Sequence, residues 1–252
     1  MKELYAFAVD LAQRAGAIPL RYFRTDCPVE QKSDDSPVTV ADRRTEEYLR
    51  EEIEKRCPDD GILGEEFGEK IGRSGRRWIL DPIDGTQSFI RGLPLFGVMI
   101  ALEEQGTSRI GVIHYPALGE TLSALSGLGC FCNGTPCRVS STSALEQASL
   151  STSYPHKIVQ IWGQSMLQRI IQRCAFLSTC DCYGYLLVAT GRFDVLVEPI
   201  LKIWDVAPLF PIFNEAGAII SDRHRQSNLD ITHILVANAA LHESLLDLFQ
   251  DH

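Results

Sequence analysis

The chain has 252 residues, of which 45% are hydrophobic and 23% charged, a globular composition that excludes disordered and collagen-like classes. Its formal net charge of −9 and its pI of about 5.2 argue against nucleic-acid or anionic-membrane partners, since both favour a basic face. A phosphorylated substrate would need cations to offset these acids, and metal ions would provide them.

The chain begins directly with an amphipathic pattern and without the apolar core of a signal peptide. No apolar run reaches the roughly 18–20 residues that a membrane span requires. We therefore expect a cytoplasmic protein. In that compartment the eight cysteines are expected to be free thiols. The spacing of Cys130, Cys132 and Cys137 is not that of the common zinc sites.

The first part of the chain predicts helices followed by an antiparallel sheet. Apolar residues at helical spacing in one segment and alternating apolar runs separated by turns in another carry this prediction. The predicted elements are helices at 3–24 and 40–56, a polar loop at 31–37, strands at 62–64 and 76–80, and a meander at 96–102, 109–115 and 120–125.

After about residue 145 strands and helices alternate. The predicted elements are strands at 148–151, 176–179, 193–198, 217–220 and 233–237, and helices at 158–173, 183–190, from 205 onward, and 240–249. We expect residues 1–145 to form an α+β lobe and residues 146–252 an α/β lobe, packed as one compact unit.

Carboxylates stand at the predicted ends of several elements, where side chains are less exposed than on helix faces. They are Asp42, Glu65, Asp81, Asp84 and Asp205. Each alone has an ordinary structural explanation, because acids are common in helix caps and turns. Their function has to be judged from the pattern in which they occur.

The segment Asp81-Pro82-Ile83-Asp84-Gly85-Thr86 has a more specific pattern. Pro82 fixes its φ angle and Gly85 frees its own, which predicts a tight turn that directs both carboxylates and the Ile83 carbonyl to one point. Ligands that are all oxygen suit a hard cation such as Mg²⁺. Gly85-Thr86 opens a predicted helical turn whose free N–H groups can bind phosphate. Together these features indicate phosphoryl transfer.

Three segments then resemble the inositol monophosphatase family in order and spacing. They are Gly64-Glu65-Glu66, Trp78-Ile-Leu-Asp-Pro-Ile-Asp-Gly-Thr86 and Trp204-Asp205-Val206-Ala207, and the likeness extends to Val38-Thr39-Val40-Ala41-Asp42 and Asn133-Gly134. The resemblance implies a layered αβαβα sandwich. It also implies hydrolysis of a small phosphate monoester by metal-activated water, with two or three Mg²⁺ ions, a homodimer and inhibition by Li⁺.

Carried over residue by residue, the resemblance assigns the site. Glu65, Asp81 and the Ile83 carbonyl are expected to hold one metal ion. The second ion is expected between Asp81, Asp84 and Asp205, with Glu65 near a possible third. Thr86, hydrogen-bonded to Asp42, is expected to orient the attacking water, and Glu65 joins them as a catalytic residue. Asp84, Gly85 and Thr86 are expected to bind the phosphate.

Other segments resemble the histidinol-phosphatase type within the family. They are Ser88-Phe89-Ile90, Thr179-Cys-Asp-Cys-Tyr-Gly-Tyr185 and Val197-Glu-Pro-Ile-Leu-Lys202. Histidinol phosphate, a late intermediate of histidine synthesis, carries an ammonium and an imidazole. The carboxylates of Asp181 and Glu198 suit this cationic end. Gln87, which stands where that type has Lys, is the third expected substrate contact.

Two alternatives remain open at the level of sequence. One is an inositol-1-phosphatase or a phosphatase of broad sugar-phosphate specificity, which the Trp204 position favours because histidinol phosphatases more often have Tyr there. Glu198 does not discriminate between these substrates, since inositol-type enzymes also have this residue. The more remote alternative is a non-catalytic relative that binds a ligand. The presence of all five carboxylates argues for the enzyme.

Overall fold

The computed structural model describes residues 1–32 and 37–250. The helices are α1 (Lys2–Tyr22), α2 (Val40–Arg56), α3 (Thr86–Ile90), α4 (Pro155–Trp162), α5 (Gln164–Arg173), α6 (Tyr183–Ala189), α7 (Ile203–Ala216) and α8 (Ala239–Gln250). The strands are β1 (Val29–Gln31), β2 (Pro37–Thr39), β3 (Gly61–Gly64), β4 (Gly68–Lys70), β5 (Arg76–Asp84), β6 (Gly97–Glu104), β7 (Thr107–Tyr115), β8 (Glu120–Leu125), β9 (Gly129–Cys132), β10 (Thr135–Pro136), β11 (Ser149–Ser151), β12 (Phe176–Ser178), β13 (Val195–Glu198), β14 (Ala218–Ser221) and β15 (Ile234–Asn238).

The larger sheet has eight strands in the order β10-β9-β8-β7-β6-β5-β3-β4. From β5 to β10 consecutive strands pair antiparallel, which confirms the predicted meander. Strand β3 pairs parallel to β5, with α2 preceding it in the chain. Both strands therefore run in the same direction, and the residues that follow Gly64 emerge at the same edge of the sheet as the end of β5.

Alternating side chains along the strands of this sheet separate two apolar cores. On β6, Val98, Ile100 and Leu102 pack with residues of α1 and α2. Met99 points the other way and packs with residues of α6 and α7. This period of two is the pattern of a strand that is covered on both faces. The sheet therefore lies between α1 and α2 on one side and α6 and α7 on the other.

The smaller sheet has five strands in the order β12-β11-β13-β15-β14. Its strands show the same alternation: Leu196 and Val236 pack towards α6 and α7, whereas Val195 and Leu235 pack towards α4, α5 and α8. The result is five layers, helices–sheet–helices–sheet–helices, which confirms the predicted αβαβα sandwich. The division into lobes at residue 145 stays a prediction.

Some elements differ from the sequence-based prediction. The helix expected at 158–173 is two helices, because Gly163 has φ 90° and ends α4 before α5 begins. Strand β4 was not predicted. The ends of the expected loop at 31–37 belong to β1 and β2, which pair antiparallel, and residues 33–36 lie outside the described residues. Within the described part of the chain, no helix is both long and apolar enough for a membrane crossing.

Helix α7 lies close against β7 because position 111 has no side chain. A Cβ atom on Gly111 would lie 2.1 Å from the carbonyl oxygen of Pro208 in α7. We expect Gly111→Ala to destabilise the protein by about 1–3 kcal/mol through overpacking, which lowers the Tm by roughly 2–12 °C at this chain length. Thermal unfolding measures this shift. The exposed control Ser126→Ala should stay near wild type, and an unchanged Tm for Gly111→Ala would contradict the packing argument.

Candidate active site

The end of β5 brings two carboxylates together through an irregularity in the strand. The pairing of β5 with β6 shifts register between Asp81 and Asp84. In a regular strand, residues three apart point to opposite faces, so both carboxylates can share one site only because of this bulge. The Ile83 N–H donates to Asp81 Oδ1 at 2.9 Å, which fixes the first carboxylate against its own turn.

The third carboxylate of the group comes from the first turn of α7. Asp205 Oδ2 accepts a hydrogen bond from the backbone N–H of Lys202 at 2.7 Å, which holds the side chain at the helix N-terminus. One oxygen each of Asp81, Asp84 and Asp205 lies within 4.8 Å of the others. The structure therefore unites three predicted metal ligands from distant parts of the chain.

These three carboxylates fit a hard metal ion. Asp84 Oδ2 is buried and accepts no hydrogen bond from any described residue. A buried carboxylate oxygen without a donor is costly, and a cation would satisfy it. The donor atoms are all oxygens, the ligand chemistry of Mg²⁺ or Ca²⁺ rather than of zinc.

Glu65 lies in the loop between β3 and β4, at the same edge of the sheet. Its Oε1 accepts a hydrogen bond from Lys32 Nζ at 2.7 Å, and the same ammonium donates to Glu66 Oε1 at 2.6 Å. Burial raises the pKa of Glu65 to about 7, although Lys32 opposes this shift. Lys32 thus forms ion pairs with both Glu65 and Glu66.

Burial is the largest cause that raises the pKa of each carboxylate in the three-residue group. For Asp81, the charges of Glu65 and Asp84 raise the pKa further. For Asp84, the charge of Asp205 acts in the same direction. Without a cation, carboxyl groups this close together either retain protons or destabilise the site by their mutual repulsion.

Asp42 and Thr86 meet beside this group. Asp42 is 1% exposed on the first turn of α2, and its Oδ2 accepts from the backbone N–H and hydroxyl of Thr39 at 2.8 and 2.6 Å. Thr86 Oγ1 lies 3.4 Å from Asp42 Oδ1 and 2.9 Å from the Ile83 carbonyl oxygen. Burial raises the pKa of Asp42 to about 6. The hydroxyl of Thr86 therefore links Asp42 to the turn that carries Asp81 and Asp84.

Gly85 makes the turn between Asp84 and α3. Its φ of 85° lies in the left-handed region, and a Cβ atom there would lie 2.8 Å from the Leu95 carbonyl oxygen. Both the backbone angle and the close approach require glycine. Thr86 begins α3 immediately after it, so the N–H groups at the start of this helix lie next to the carboxylates.

Two further carboxylates face the acidic group from the smaller sheet and its connections. Asp181, at φ 47°, accepts from Ser88 Oγ at 2.5 Å and from the Cys182 N–H at 3.1 Å. Glu198, 1% exposed at the end of β13, accepts from the Ser153 N–H and hydroxyl, both at 2.9 Å. The charge of Asp181 raises the pKa of both Asp84 and Glu198, so the three lie in one electrostatic environment.

Gln87 has a different setting. Its side-chain oxygen accepts a hydrogen bond from Arg91, the residue that follows α3. Its predicted contact with substrate stays a prediction. Sequence reasoning missed the direct bond between Ser88 and Asp181, although both belong to segments that had been singled out. It also missed Tyr154. Burial raises the pKa of Tyr154, and the charges of Asp181, Asp84 and Glu198 raise it further. Tyr154 therefore borders the same space.

Comparison with models of protein families assigns the whole chain to a single family. The model of the inositol monophosphatase family matches residues 1–252. The chain therefore belongs to the inositol monophosphatase family, whose members are metal-dependent phosphatases. The converging carboxylates at the end of β5 agree with this metal dependence.

Individual relatives are similar to this chain over most of its length. A histidinol-phosphatase of Chlorobaculum parvum is 43% identical over 242 residues, which cover 95% of this chain and 93% of the relative. An inositol-1-monophosphatase of Rhizobium meliloti is 35% identical over 219 residues, which cover 84% and 82%. The crystal structure of the extragenic suppressor protein suhB from Bartonella henselae has a TM-score of 0.92 at 32% identity and covers 99% of both chains. The first two relatives are named for different substrates. The similarity therefore shows the phosphatase family and does not identify the ester that this chain hydrolyses.

The raised carboxylate pKa values predict how the metal-free protein responds to pH. Folded carboxyl groups with raised pKa bind protons more tightly than the unfolded chain does. Their contribution to stability is present at low pH and is lost as the pH rises through the raised pKa, which for Glu65 means from 4.5 to about 7. Asp84→Asn removes one of the repelling charges.

We expect Asp84→Asn to be more stable than wild type in EDTA at pH 8, by about 1–2 kcal/mol or roughly 2–8 °C in Tm. The advantage should shrink at pH 5, where the native carboxyl groups already hold protons. Thermal unfolding at both pH values measures it, with Glu47→Gln on the exposed face of α2 as the control. A variant less stable than wild type at pH 8 would contradict the repulsion argument.

Proposed function

We propose that the protein is a Mg²⁺-dependent phosphatase that hydrolyses L-histidinol phosphate to L-histidinol and phosphate. The observation that supports this substrate is the carboxylate of Asp181, held by Ser88 and directed into the environment of Asp84. A half-buried carboxylate beside a metal site adds repulsion, so its presence there suits a substrate with a cationic group. The 43% identity to a histidinol-phosphatase supports the same choice.

The carboxylates of the acidic group would hold the metal ions. Glu65, Asp81 and the Ile83 carbonyl form one set, and Asp81, Asp84 and Asp205 form the second, with Glu65 available to a third ion. When bound, Mg²⁺ supplies Lewis acidity, lowers the pKa of water and offsets the charge of the phosphate. All other roles belong to the side chains and backbone of the protein.

Thr86 and Asp42 orient the attacking water. The single proton of the Thr86 hydroxyl is donated to the Ile83 carbonyl or to Asp42, which lie 2.9 and 3.4 Å away. In either case the lone pairs of Oγ1 remain free to accept a hydrogen bond from water, which turns the water oxygen towards the phosphorus. Thr39 occupies the other oxygen of Asp42 and keeps that carboxylate in place.

The phosphate lies against Gly85 and Thr86. Their N–H groups stand at the start of α3, where the backbone offers donors to an anion. Asp84 lies beside them and would help to hold a cation, which would compensate the phosphate charge. The leaving alcohol then extends towards Asp181 and Glu198, which bind the ammonium and imidazole, and Gln87 borders the entrance. Here the negative field of the site favours the cationic substrate.

An inositol-1-phosphatase is the second candidate. Glu198 is compatible with it as well, because a carboxylate that already accepts from a serine hydroxyl also suits the hydroxyl groups of a polyol. The similarity to an inositol-1-monophosphatase supports the same reading. A broad sugar-phosphate phosphatase would use the same contacts. Inhibition by Li⁺, the homodimer, the cytoplasmic location and the number of Mg²⁺ ions remain predictions.

Removal of the proposed metal ligand Asp84 tests the phosphatase mechanism. We expect Asp84→Asn to lower Mg²⁺-dependent turnover by about 10²–10³-fold or more, because the site loses the electrostatic compensation that the transition state needs. Steady-state kinetics with saturating Mg²⁺ measures this loss, and circular dichroism checks the fold. Glu47→Gln serves as the control. Mg²⁺-dependent turnover retained by Asp84→Asn would reject the ligand assignment.

The substrate assignment is tested by comparing two esters on two proteins. We expect wild type to have a higher kcat/KM for L-histidinol phosphate than for inositol-1-phosphate. Asp181→Asn keeps the size of the side chain and loses its charge, so it should lower kcat/KM for histidinol phosphate by roughly 10–100-fold. The effect on inositol-1-phosphate should be much smaller. A wild-type preference for inositol-1-phosphate, or an equal loss on both esters, would reject the proposed substrate.

A further inference from the structure

Glu46 is a buried carboxylate that no part of the proposed mechanism uses. It lies on α2 one helical turn after Asp42, and its side chain is 0% exposed. A carboxylate in such a place is expensive to bury unless donors surround it. Its hydrogen-bond partners therefore indicate what the residue is for.

Both oxygens of Glu46 bind the loop that carries Glu65. Oε2 accepts from the backbone N–H of Glu66 at 2.7 Å, and Oε1 accepts from the N–H of Phe67 at 3.2 Å. The Nε of Arg50 donates to Oε1 at 2.7 Å, and the same guanidinium also donates to the Gly68 carbonyl. One ion pair on α2 thus holds the three residues that follow Glu65.

Gly64, immediately before Glu65, leaves the space that the Glu46 carboxylate occupies. A Cβ atom at position 64 would lie 2.0 Å from Glu46 Oε1 and 2.3 Å from its Cδ. The absence of a side chain therefore lets Glu46 reach the loop. On the other side, the N–H of Glu65 bonds to the Leu80 carbonyl at 3.3 Å, which ties the loop to β5 next to Asp81.

We propose that Glu46 is a positioning residue for metal binding: it fixes the main chain around Glu65 so that the Glu65 carboxylate faces Asp81. This inference rests on the proposed function of Glu65 as a metal ligand. Lys32 holds the side chain of Glu65, whereas Glu46 holds the backbone N–H of the next residue, Glu66. Without the anchor, the loop gains conformational freedom, and the metal ion has to order it on binding.

A purely structural role is the alternative, and Asp60 provides the matched control. Asp60 is also buried, at 1% exposure, and accepts from Trp78 Nε1 at 3.0 Å and from two nitrogens of Arg76. It precedes β3, whereas Glu65 follows that strand, so the two lie at opposite ends of it. Asp60→Asn therefore removes a buried anionic anchor of the same kind away from the metal ligands.

The test measures Mg²⁺ binding rather than turnover, by titration calorimetry on the full chain. We expect Glu46→Gln to weaken Mg²⁺ affinity by about 10–100-fold, the usual effect of residues that orient a ligand. Asp60→Asn should lower the Tm and leave Mg²⁺ affinity within about twofold of wild type. In the Glu65→Gln background, Glu46→Gln should add less than about twofold, because its effect passes through Glu65.

Three results would overturn the proposal. They are unchanged Mg²⁺ affinity in Glu46→Gln, an equal loss in Asp60→Asn, and an additive loss in the double variant. If Glu46→Gln fails to fold, Arg50→Gln provides a second measurement. This substitution loosens the same anchor without removing the Glu46 carboxylate. Unchanged Mg²⁺ affinity in Arg50→Gln would also reject the proposal. Wild type that binds no Mg²⁺ would instead reject the proposed metal site itself, and this outcome is separate from the others.

Discussion

The repulsion between carboxylates at the end of β5 is the constraint on which the rest of the site depends. Asp81, Asp84 and Asp205 offer oxygens within 4.8 Å of one another, and burial strengthens their mutual repulsion. A flexible chain would relieve this repulsion by moving apart. The protein prevents that with rigid elements: the bulged end of a strand in an eight-stranded sheet supplies two of the acids, and the first turn of a buried helix supplies the third. The packing of the cores thus offsets the unfavourable repulsion among the three carboxylates and keeps the cation site in place.

The same layers place the supporting residues. Helix α2 carries Asp42 and Glu46 one turn apart, so a single element reaches both the turn of Thr86 and the loop of Glu65. Helix α7 packs between the two sheets and brings Asp205 from the second half of the chain to the end of β5. Because these residues come from β5, α2, α7 and the loop after β3, the geometry of the site is a property of the whole sandwich rather than of one motif.

Sequence reasoning predicts what is local and misses what is made by folding. The convergence of Asp81 and Asp84 was predictable because Pro82 fixes its φ angle and Gly85 frees its own. The meander was predictable from apolar runs separated by turns, whereas the layered sandwich was implied by the family resemblance. The break at Gly163 was not predictable, since a glycine inside a helical pattern is often tolerated. Ser88 bonds to Asp181, 93 residues away, and Glu46 bonds to Glu66, 20 residues away. Such contacts leave no periodic signal in one sequence.

On the proposed assignment, discrimination between substrates rests more on Asp181 than on Glu198. The two oxygens of Glu198 already accept hydrogen bonds from Ser153, so part of the cost of burying that charge is met by the protein. Asp181 accepts one hydroxyl and one N–H, and it adds its field to that of Asp84. A cationic alcohol relieves this repulsion on binding, whereas a neutral polyol contributes hydrogen bonds alone. The acidic surplus that makes the site bind metal ions thus also favours a positively charged leaving group.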